Sequence, residues 1–224
     1  MDTTDDYSYL AIPPLGQGPG VLLLHAWWGL NEFFKGLCER LAGQGFVAYA
    51  PDLYKGKTAA TVEQAERLRS RMNRKQVSQS LAAAATFLHT NKAITGDGLG
   101  VIGFSMGAYY ALGLSVEMPE MFRAVVTFYG TRGGDYTPSK SAYLCHFAET
   151  DEWVSASGVK ALEKSLRQAN RPAAFHTYPG TGHWFFEADR ACVFAPQAAE
   201  LAWARTLAFL RAELVGAWPT SPPL

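Results

Sequence analysis

The sequence predicts an α/β fold in which a mostly parallel, doubly wound sheet is flanked by helices. Two observations indicate this fold class. Apolar runs of strand length alternate along the chain with segments of helical periodicity, an order typical of strand–helix–strand units. The predicted strands are almost continuously apolar, as expected of parallel strands that are covered on both faces. The chain has 224 residues, which is enough for one such domain and few for two.

Six segments have the length and apolarity of strands: residues 21–25, 46–50, 99–104, 124–128, 142–147 and 173–178. Helical patterns cover residues 32–43, 61–90, 106–116 and 155–169. Within 61–90 the spacing of apolar residues predicts two helices that meet near Asn73. A last helix is expected to begin at Pro196, because the N–H that proline lacks would have no acceptor at a helix start. No linker or repeat precedes a proline-rich tail at 217–224, so we expect residues 1–224 to form a single domain.

Composition and charge argue against several classes of partner. Twenty basic residues balance twenty acidic residues, which gives no electrostatic basis for binding nucleic acid or an anionic membrane. The first six residues include three aspartates, so no secretory signal is predicted. The longest apolar stretch, residues 21–30, is too short to span a bilayer. Three scattered cysteines, Cys38, Cys145 and Cys192, argue against a disulfide framework and predict a cytoplasmic location.

A basic run lies within the segment 61–90 and consists of Arg67, Arg69, Arg71, Arg74 and Lys75. These residues alternate with apolar helix positions and have two glutamates as neighbours. We therefore expect them to form a solvated helix face.

The pentapeptide 103–107 reads Gly-Phe-Ser-Met-Gly and lies between a predicted strand and a predicted helix. A G-x-S-x-G sequence in this context is typical of a nucleophile elbow, a tight turn that exposes the serine hydroxyl above the sheet. The turn crowds the positions two residues before and after the serine, where Gly103 and Gly107 have no Cβ. The pattern predicts Ser105 as a nucleophile.

A serine nucleophile needs a base, and the base needs an orienting partner. His183 lies on a glycine-flanked loop after the last predicted strand, at the sheet edge where Ser105 also emerges. The acid is best sought after the strand 142–147, where we favour Asp151. Other carboxylates are weaker candidates: Glu149, Glu152, Asp135 and Asp189. The chain order Ser105, Asp151, His183 is the order of α/β-hydrolases.

Acyl transfer also needs two donors directed at the developing oxyanion. One is expected to be the backbone N–H of Met106, and the other that of Trp27 after the first long strand. The aromatic content near these positions predicts an aromatic substrate pocket. Its expected lining residues are Trp28, Tyr54, Tyr129, Trp184 and Phe185.

Several motifs together resemble the dienelactone hydrolase family of α/β-hydrolases. They are His-Ala-Trp-Trp-Gly-Leu-Asn at 25–31, Pro-Asp-Leu-Tyr at 51–54, the pentapeptide 103–107, and the segments 147–153 and 178–183. The resemblance spans almost the whole chain. It implies an α/β-hydrolase fold without a large cap domain, and hydrolysis of small esters or lactones through a covalent acyl-enzyme. It also implies that neither a metal ion nor an organic cofactor takes part.

The chain departs from the family pattern at two linked positions. The family nucleophile is usually cysteine, whereas this chain has Ser105, and the family usually has a glutamate where this chain has Ala26. A thiol needs charged partners to control its ionisation, whereas a hydroxyl depends on a histidine base. The two differences together predict an ordinary serine esterase.

The family's dienelactone enzymes also bind a substrate carboxylate with two arginines. Near those places this chain has Lys55 or Gly56, and Glu187, with Arg190 slightly further along. This difference favours an uncharged ester as substrate.

Two other interpretations remain open from the sequence. One is a thioesterase or lysophospholipase of the small carboxylesterase type, and the other is a non-catalytic binding protein built on a hydrolase scaffold. The sequence does not specify the physiological substrate, its chain length or stereochemistry, or the oligomeric state.

Overall fold

A seven-stranded sheet forms the centre of the part of the chain described by this computed structural model, residues 7–216. In chain order the elements are β1 (Tyr9–Ala11), β2 (Gly20–Leu24), α1 (Glu32–Ala42), β3 (Val47–Ala50), α2 (Val62–Ser70), α3 (Arg74–His89), β4 (Leu99–Phe104), α4 (Met106–Glu117), β5 (Phe122–Phe128), β6 (Ala142–Ala148), α5 (Ala156–Gln168), β7 (Ala173–Tyr178) and α6 (Pro196–Val215). The strand order is β1-β3-β2-β4-β5-β6-β7.

Every neighbouring pair of strands in this sheet is parallel except β1 and β3, which are antiparallel. The chain winds outward from β2 in both directions, to β3 on one side and to β4 through β7 on the other. The predicted fold class, a doubly wound and mostly parallel α/β sheet, is therefore confirmed. The acidic start at 1–6 and the predicted proline-rich tail at 217–224 lie outside the described residues.

The six predicted strands all form, and their ends differ from the predicted ones by at most two residues. The predicted division of 61–90 also occurs, because the Asn73 side chain accepts a hydrogen bond from the Gln76 N–H and begins α3. No sequence pattern predicts β1, a three-residue edge strand that is only partly buried. A segment this short carries no periodicity, and its pairing with β3 depends on residues about 40 positions away.

Helices cover both faces of the sheet and bury two hydrophobic clusters. Strand β2 shows how one strand serves both clusters. Val21 and Leu23 belong to the cluster that includes residues of α1 and α6, whereas Leu22 and Leu24 belong to the cluster that includes residues of α3, α4 and α5. Successive side chains of a strand point to opposite faces, so a strand covered on both sides must be apolar throughout.

The carboxyl ends of the parallel strands lie at one edge of the sheet. Ser105 directly follows β4, Tyr129 directly follows β5, and Trp27 lies three residues beyond β2. Asp151 and His183 are on the loops after β6 and β7. The topology thus brings these five residues to the edge where α/β folds bind their ligands. Among residues 7–216, no helix combines the length and the apolarity needed to cross a membrane.

Candidate active site

Ser105 occupies a sharp turn between β4 and α4. Its backbone has φ 50° and ψ −108°, a region that residues with a Cβ rarely adopt. The Ser105 N–H donates to the Phe128 carbonyl at 2.9 Å, which ties the turn to β5. A Cβ on Gly103 would overlap the carbonyl of Gly107, and one on Gly107 would overlap the carbonyl of Leu24. Glycine is therefore required on both sides of the serine, and the turn has the geometry of a nucleophile elbow.

Ser105, His183 and Asp151 form one continuous chain of hydrogen bonds. The Nε2 atom of His183 lies 2.9 Å from Ser105 Oγ, and its Nδ1 atom lies 2.8 Å from Asp151 Oδ2. The other carboxylate oxygen of Asp151 accepts the backbone N–H groups of Trp153 and Val154 at 2.8 and 2.9 Å. The carboxylate is thereby fixed, and it favours the tautomer with the proton on Nδ1. In that tautomer Nε2 is free to accept the serine proton.

The four alternative carboxylates have other partners or lie apart from His183. Glu149 accepts the Gly180 N–H at 2.9 Å and fastens the start of the histidine loop. Asp135 bonds to Thr137 in an exposed turn, and Glu152 is exposed. Asp189 accepts a hydrogen bond from the Asn31 side chain at 2.8 Å. Among these five carboxylates of the described residues, Asp151 is the one that forms a hydrogen bond with the imidazole.

The two expected oxyanion donors lie beside Ser105. Met106 is the first residue of α4, where a backbone N–H has no intrahelical acceptor. Trp27 follows the end of β2, and both residues line the same cavity as Ser105 and His183.

The fully buried His25 orders the loop that carries Trp27. Its Nδ1–H donates to the Ala26 carbonyl at 2.6 Å, while Nε2 accepts the Leu53 N–H at 3.2 Å. Burial lowers the pKa of His25, so the neutral ring can serve as both donor and acceptor. It thereby joins the loop after β2 to the loop after β3.

A cavity of about 490 Å³ opens over Ser105, Met106 and His183. Six aromatic side chains contribute to its lining: Trp27, Tyr109, Tyr110, Tyr129, Trp153 and Trp184. The last residues of α2 and the first residue of α3 bring two arginines, Arg69 and Arg74, to the same cavity. Among residues 7–216, neither arginine makes an ion pair with a carboxylate. The cavity is therefore aromatic and carries positive charge.

The model of the dienelactone hydrolase family matches residues 7–214 of this chain. The chain belongs to the dienelactone hydrolase family. Members of this family hydrolyse ester and lactone bonds, and the chain is a hydrolase of that class. The resemblance drawn from the motifs is confirmed, and the alternative of a non-catalytic binding protein is not supported.

Relatives of this dienelactone hydrolase family member match it over most of their length. Protein usf of Aquifex pyrophilus is 33% identical over 212 residues, which cover 91% of each chain. The carboxymethylenebutenolidase of Pseudomonas sp. strain P51 is 27% identical over 216 residues, covering 91% of this chain and 89% of the relative. A solved dienelactone hydrolase-like promiscuous phosphotriesterase from metagenomic libraries is 21% identical. It superimposes with a TM-score of 0.79 and covers 89% of this chain and 88% of that one.

Three of the residues expected to line the pocket of this dienelactone hydrolase family member lie outside the cavity. Trp28 is buried, with the guanidinium group of Arg190 at 3.9 Å from its ring centroid. Tyr54 faces a second, smaller depression, and its hydroxyl contacts the Met106 sulfur at 3.5 Å. Phe185 is completely buried in the core. Trp28 and Phe185 each directly follow a residue that does line the cavity, but the direction of each side chain is set by packing that the local sequence does not reveal.

The family's second carboxylate-binding arginine has no counterpart at Glu187, which is completely buried. Its Oε1 atom accepts a hydrogen bond from the Tyr129 hydroxyl at 2.7 Å. Burial raises the pKa of Glu187 to about 8. Within residues 7–216, no group of three or more histidine, cysteine, aspartate or glutamate side chains is arranged to bind a metal ion.

Proposed function

We propose that this chain is a serine hydrolase that cleaves small carboxylic esters or lactones through a covalent acyl-enzyme. The observation that carries the proposal is the unbroken hydrogen-bond path from Asp151 through His183 to the Ser105 hydroxyl. The elbow geometry at Ser105 supports it, because the strained turn directs the hydroxyl towards the open cavity.

The reaction begins when Ser105 Oγ attacks the carbonyl carbon and His183 Nε2 takes the hydroxyl proton. The negative charge that develops on the carbonyl oxygen is stabilised by the Met106 and Trp27 N–H groups. Asp151 stabilises the imidazolium, which then protonates the departing alkoxide oxygen. In an ester this oxygen leaves as the alcohol, and in a lactone it remains tethered to the acyl group. Water, deprotonated by His183 Nε2, then attacks the acyl carbon, and the imidazolium returns that proton to Ser105 Oγ as the acid is released.

Ala26 supports serine chemistry in place of the family's usual cysteine chemistry. Its methyl group is completely buried beside the oxyanion loop, at the position where the family usually has a glutamate. A carboxylate there would compete with Ser105 for His183. A hydroxyl nucleophile needs no such partner, because the base alone removes its proton.

We further propose that the substrate carries a carboxylate, which revises the expectation of an uncharged ester. Arg69 and Arg74 line the cavity, and neither forms an ion pair with a carboxylate within the described residues. Guanidinium groups bind carboxylates through charge-assisted hydrogen bonds. The Pseudomonas relative is named for a lactone of this kind, a carboxymethylenebutenolide. The thioesterase or lysophospholipase alternative has no comparable observation in its favour.

A cytoplasmic location remains our proposal as well. Its support is that Cys38, Cys145 and Cys192 are all unpaired thiols, as is usual where the redox environment is reducing.

The proposed function is tested by comparing the wild type with Ser105→Ala on short p-nitrophenyl esters. We expect kcat to fall at least about 1,000-fold, because the covalent route is lost when the nucleophile is removed. An aryl fluorophosphonate should also label the wild type at Ser105, as identified by peptide mass spectrometry. Equal hydrolysis by the two proteins would overturn the proposal.

A further inference from the structure

Glu187 is a buried acid for which the proposed reaction has no use. Its side chain is 0% exposed, and the hydroxyl of Tyr129 is its hydrogen-bond partner at 2.7 Å. The second carboxylate oxygen is buried without a partner among the described residues. A buried carboxyl group with a neutral partner is disfavoured in its charged form. The elevated pKa, about 8, agrees with a carboxyl group that is mostly protonated at neutral pH.

Tyr129 connects this acid to the proposed base. Its backbone has φ 38°, which is unusual for a residue with a Cβ, and its N–H donates to the His146 carbonyl at 2.7 Å. The phenol ring is buried and packs against the His183 imidazole, with 4.8 Å between ring centroids and an interplanar angle of 56°. The hydrogen bond to His146 fixes the backbone of Tyr129, and the hydrogen bond to the Glu187 carboxyl group fixes its phenol hydroxyl.

The His183 ring needs support that its two hydrogen bonds do not supply. The bonds to Asp151 and Ser105 both lie close to the imidazole plane, because ring nitrogens donate and accept in that plane. They resist in-plane displacement but oppose tilting of the ring only weakly. Rings packed against the imidazole must limit the tilt, and Tyr129 and Trp184 each lie 4.8 Å from it between ring centroids.

We propose that Glu187 is a positioning residue for His183, acting through the Tyr129 hydroxyl to fix the phenol ring against the imidazole. This inference rests on the proposed function, since it assigns His183 the role of base. It requires an acceptor at residue 187 that remains neutral when buried. Glutamine has the same shape and also supplies a neutral acceptor, whereas leucine fills the space without one.

The test measures kcat and KM for p-nitrophenyl butyrate in Glu187→Leu, Glu187→Gln and Tyr129→Phe. We expect Glu187→Leu to lower kcat about 10- to 50-fold with KM changed less than about twofold, since a misplaced base affects the chemical step. Glu187→Gln should recover kcat to within about threefold of the wild type. Tyr129→Phe should lower kcat by an amount between those of the two Glu187 variants. Adding it to Glu187→Leu should lower kcat little further, because both changes remove the same hydrogen bond between Tyr129 and Glu187.

Tyr143→Phe is the matched control. It also removes a buried tyrosine hydroxyl with hydrogen bonds, to Ser115 and Ser139, but on the other face of the sheet. It should reduce the unfolding midpoint without changing kcat. A kcat for Glu187→Leu equal to that of this control would overturn the inference. So would a Glu187→Gln variant as impaired as Glu187→Leu.

Fluorophosphonate labelling of Ser105 separates this inference from the proposed function. Failure to label the wild type would overturn the proposed function and this inference with it. Labelling of the wild type and of Glu187→Leu at equal rates would overturn only the inference. If Glu187→Leu does not fold, Tyr129→Phe and Glu187→Gln still decide the outcome. For both variants the measurements are kcat for p-nitrophenyl butyrate and the rate at which the fluorophosphonate labels Ser105.

Discussion

Ser105 has a backbone conformation that costs free energy and is maintained by the residues around it. Its φ of 50° is made possible by close contacts in which Gly107 lies against the end of β2 and Gly103 lies against Gly107. A strained residue of this kind persists only where its surroundings determine it fully, and such residues are common at functional sites. The two glycines are therefore as necessary to the elbow as the serine.

Gly107→Ala is expected to disrupt the elbow, because the added methyl group would overlap the Leu24 carbonyl. We expect a loss on the order of 3 kcal/mol in the free energy of unfolding and loss of ester hydrolysis. Urea denaturation and p-nitrophenyl acetate assays would measure both. Gly36→Ala is the matched control: it lies on α1 with no atom near the added methyl group. It should be neutral or stabilising by about 0.5–1 kcal/mol. A free energy of unfolding for Gly107→Ala equal to that of the wild type would show that the elbow does not require glycine at this position.

At the level of single residues, the sequence could predict positions but not side-chain directions. Ser105, Asp151 and His183 could be located because each follows a predicted parallel strand, and the topology brings such positions to one edge. Trp28 and Phe185 flank the same loops, yet both are buried away from the cavity. Which way a loop side chain points depends on contacts with distant residues, and these are not encoded in local sequence.

The turn between α2 and α3 determines the charge of the cavity. The basic run was predicted to be a solvated helix face, and its arginines are indeed exposed. Arg69 and Arg74 nevertheless also line the cavity, because the turn at 71–73 places the end of one helix and the start of the next beside the catalytic edge. Periodicity indicates which residues face solvent, but it cannot tell an open surface from the mouth of a cavity.

Arg69→Gln and Arg74→Gln should discriminate between a charged ester and an uncharged ester of similar size. For p-nitrophenyl hemisuccinate we expect kcat/KM to fall about fivefold in each variant, a loss of about 1 kcal/mol that is typical of an exposed charge pair. For p-nitrophenyl butyrate the change should stay within about twofold. Arg71→Gln, on the same turn but lining the smaller depression, is the control. Equal losses on both esters would contradict carboxylate recognition.

Strand β1 illustrates the limit of prediction for whole elements. Long central strands such as β4 were predicted with correct ends, because burial on both faces requires apolar residues throughout. Strand β1 has three residues at the sheet edge, and its antiparallel pairing with β3 is its link to the sheet. Its existence depends on a non-local partner and leaves no pattern of its own.

For the whole molecule, Glu187 makes stability depend on pH. Its pKa is about 8 in the folded chain and has an ordinary value of 4.5. Between these values the folded state binds more protons than the unfolded state, so stability falls as pH rises. The contribution is fully present below about pH 4.5 and is lost by about pH 8. At about 1.4 kcal/mol per pKa unit, the loss is on the order of 5 kcal/mol.

Glu187→Gln should therefore gain stability relative to the wild type as the pH is raised from 5 to 8. Urea denaturation at each pH measures this difference in the free energy of unfolding. Glu152→Gln removes an exposed carboxylate and should follow the wild type at every pH. A constant difference between Glu187→Gln and the wild type would show that Glu187 is already ionised in the folded protein.

The hydrogen-bonded chain joins residues that are far apart in sequence. Ser105 and His183 are 78 positions apart, and the loops that carry them follow β4 and β7, with β5 and β6 between those strands in the sheet. The Ser105 turn and the His183 loop therefore come together only when β4, β5, β6 and β7 have all paired in the sheet. During refolding from denaturant, recovery of ester hydrolysis would consequently lag behind recovery of helical circular dichroism. The time at which ester hydrolysis returns would therefore report when β7 pairs with β6 and brings the His183 loop to Ser105.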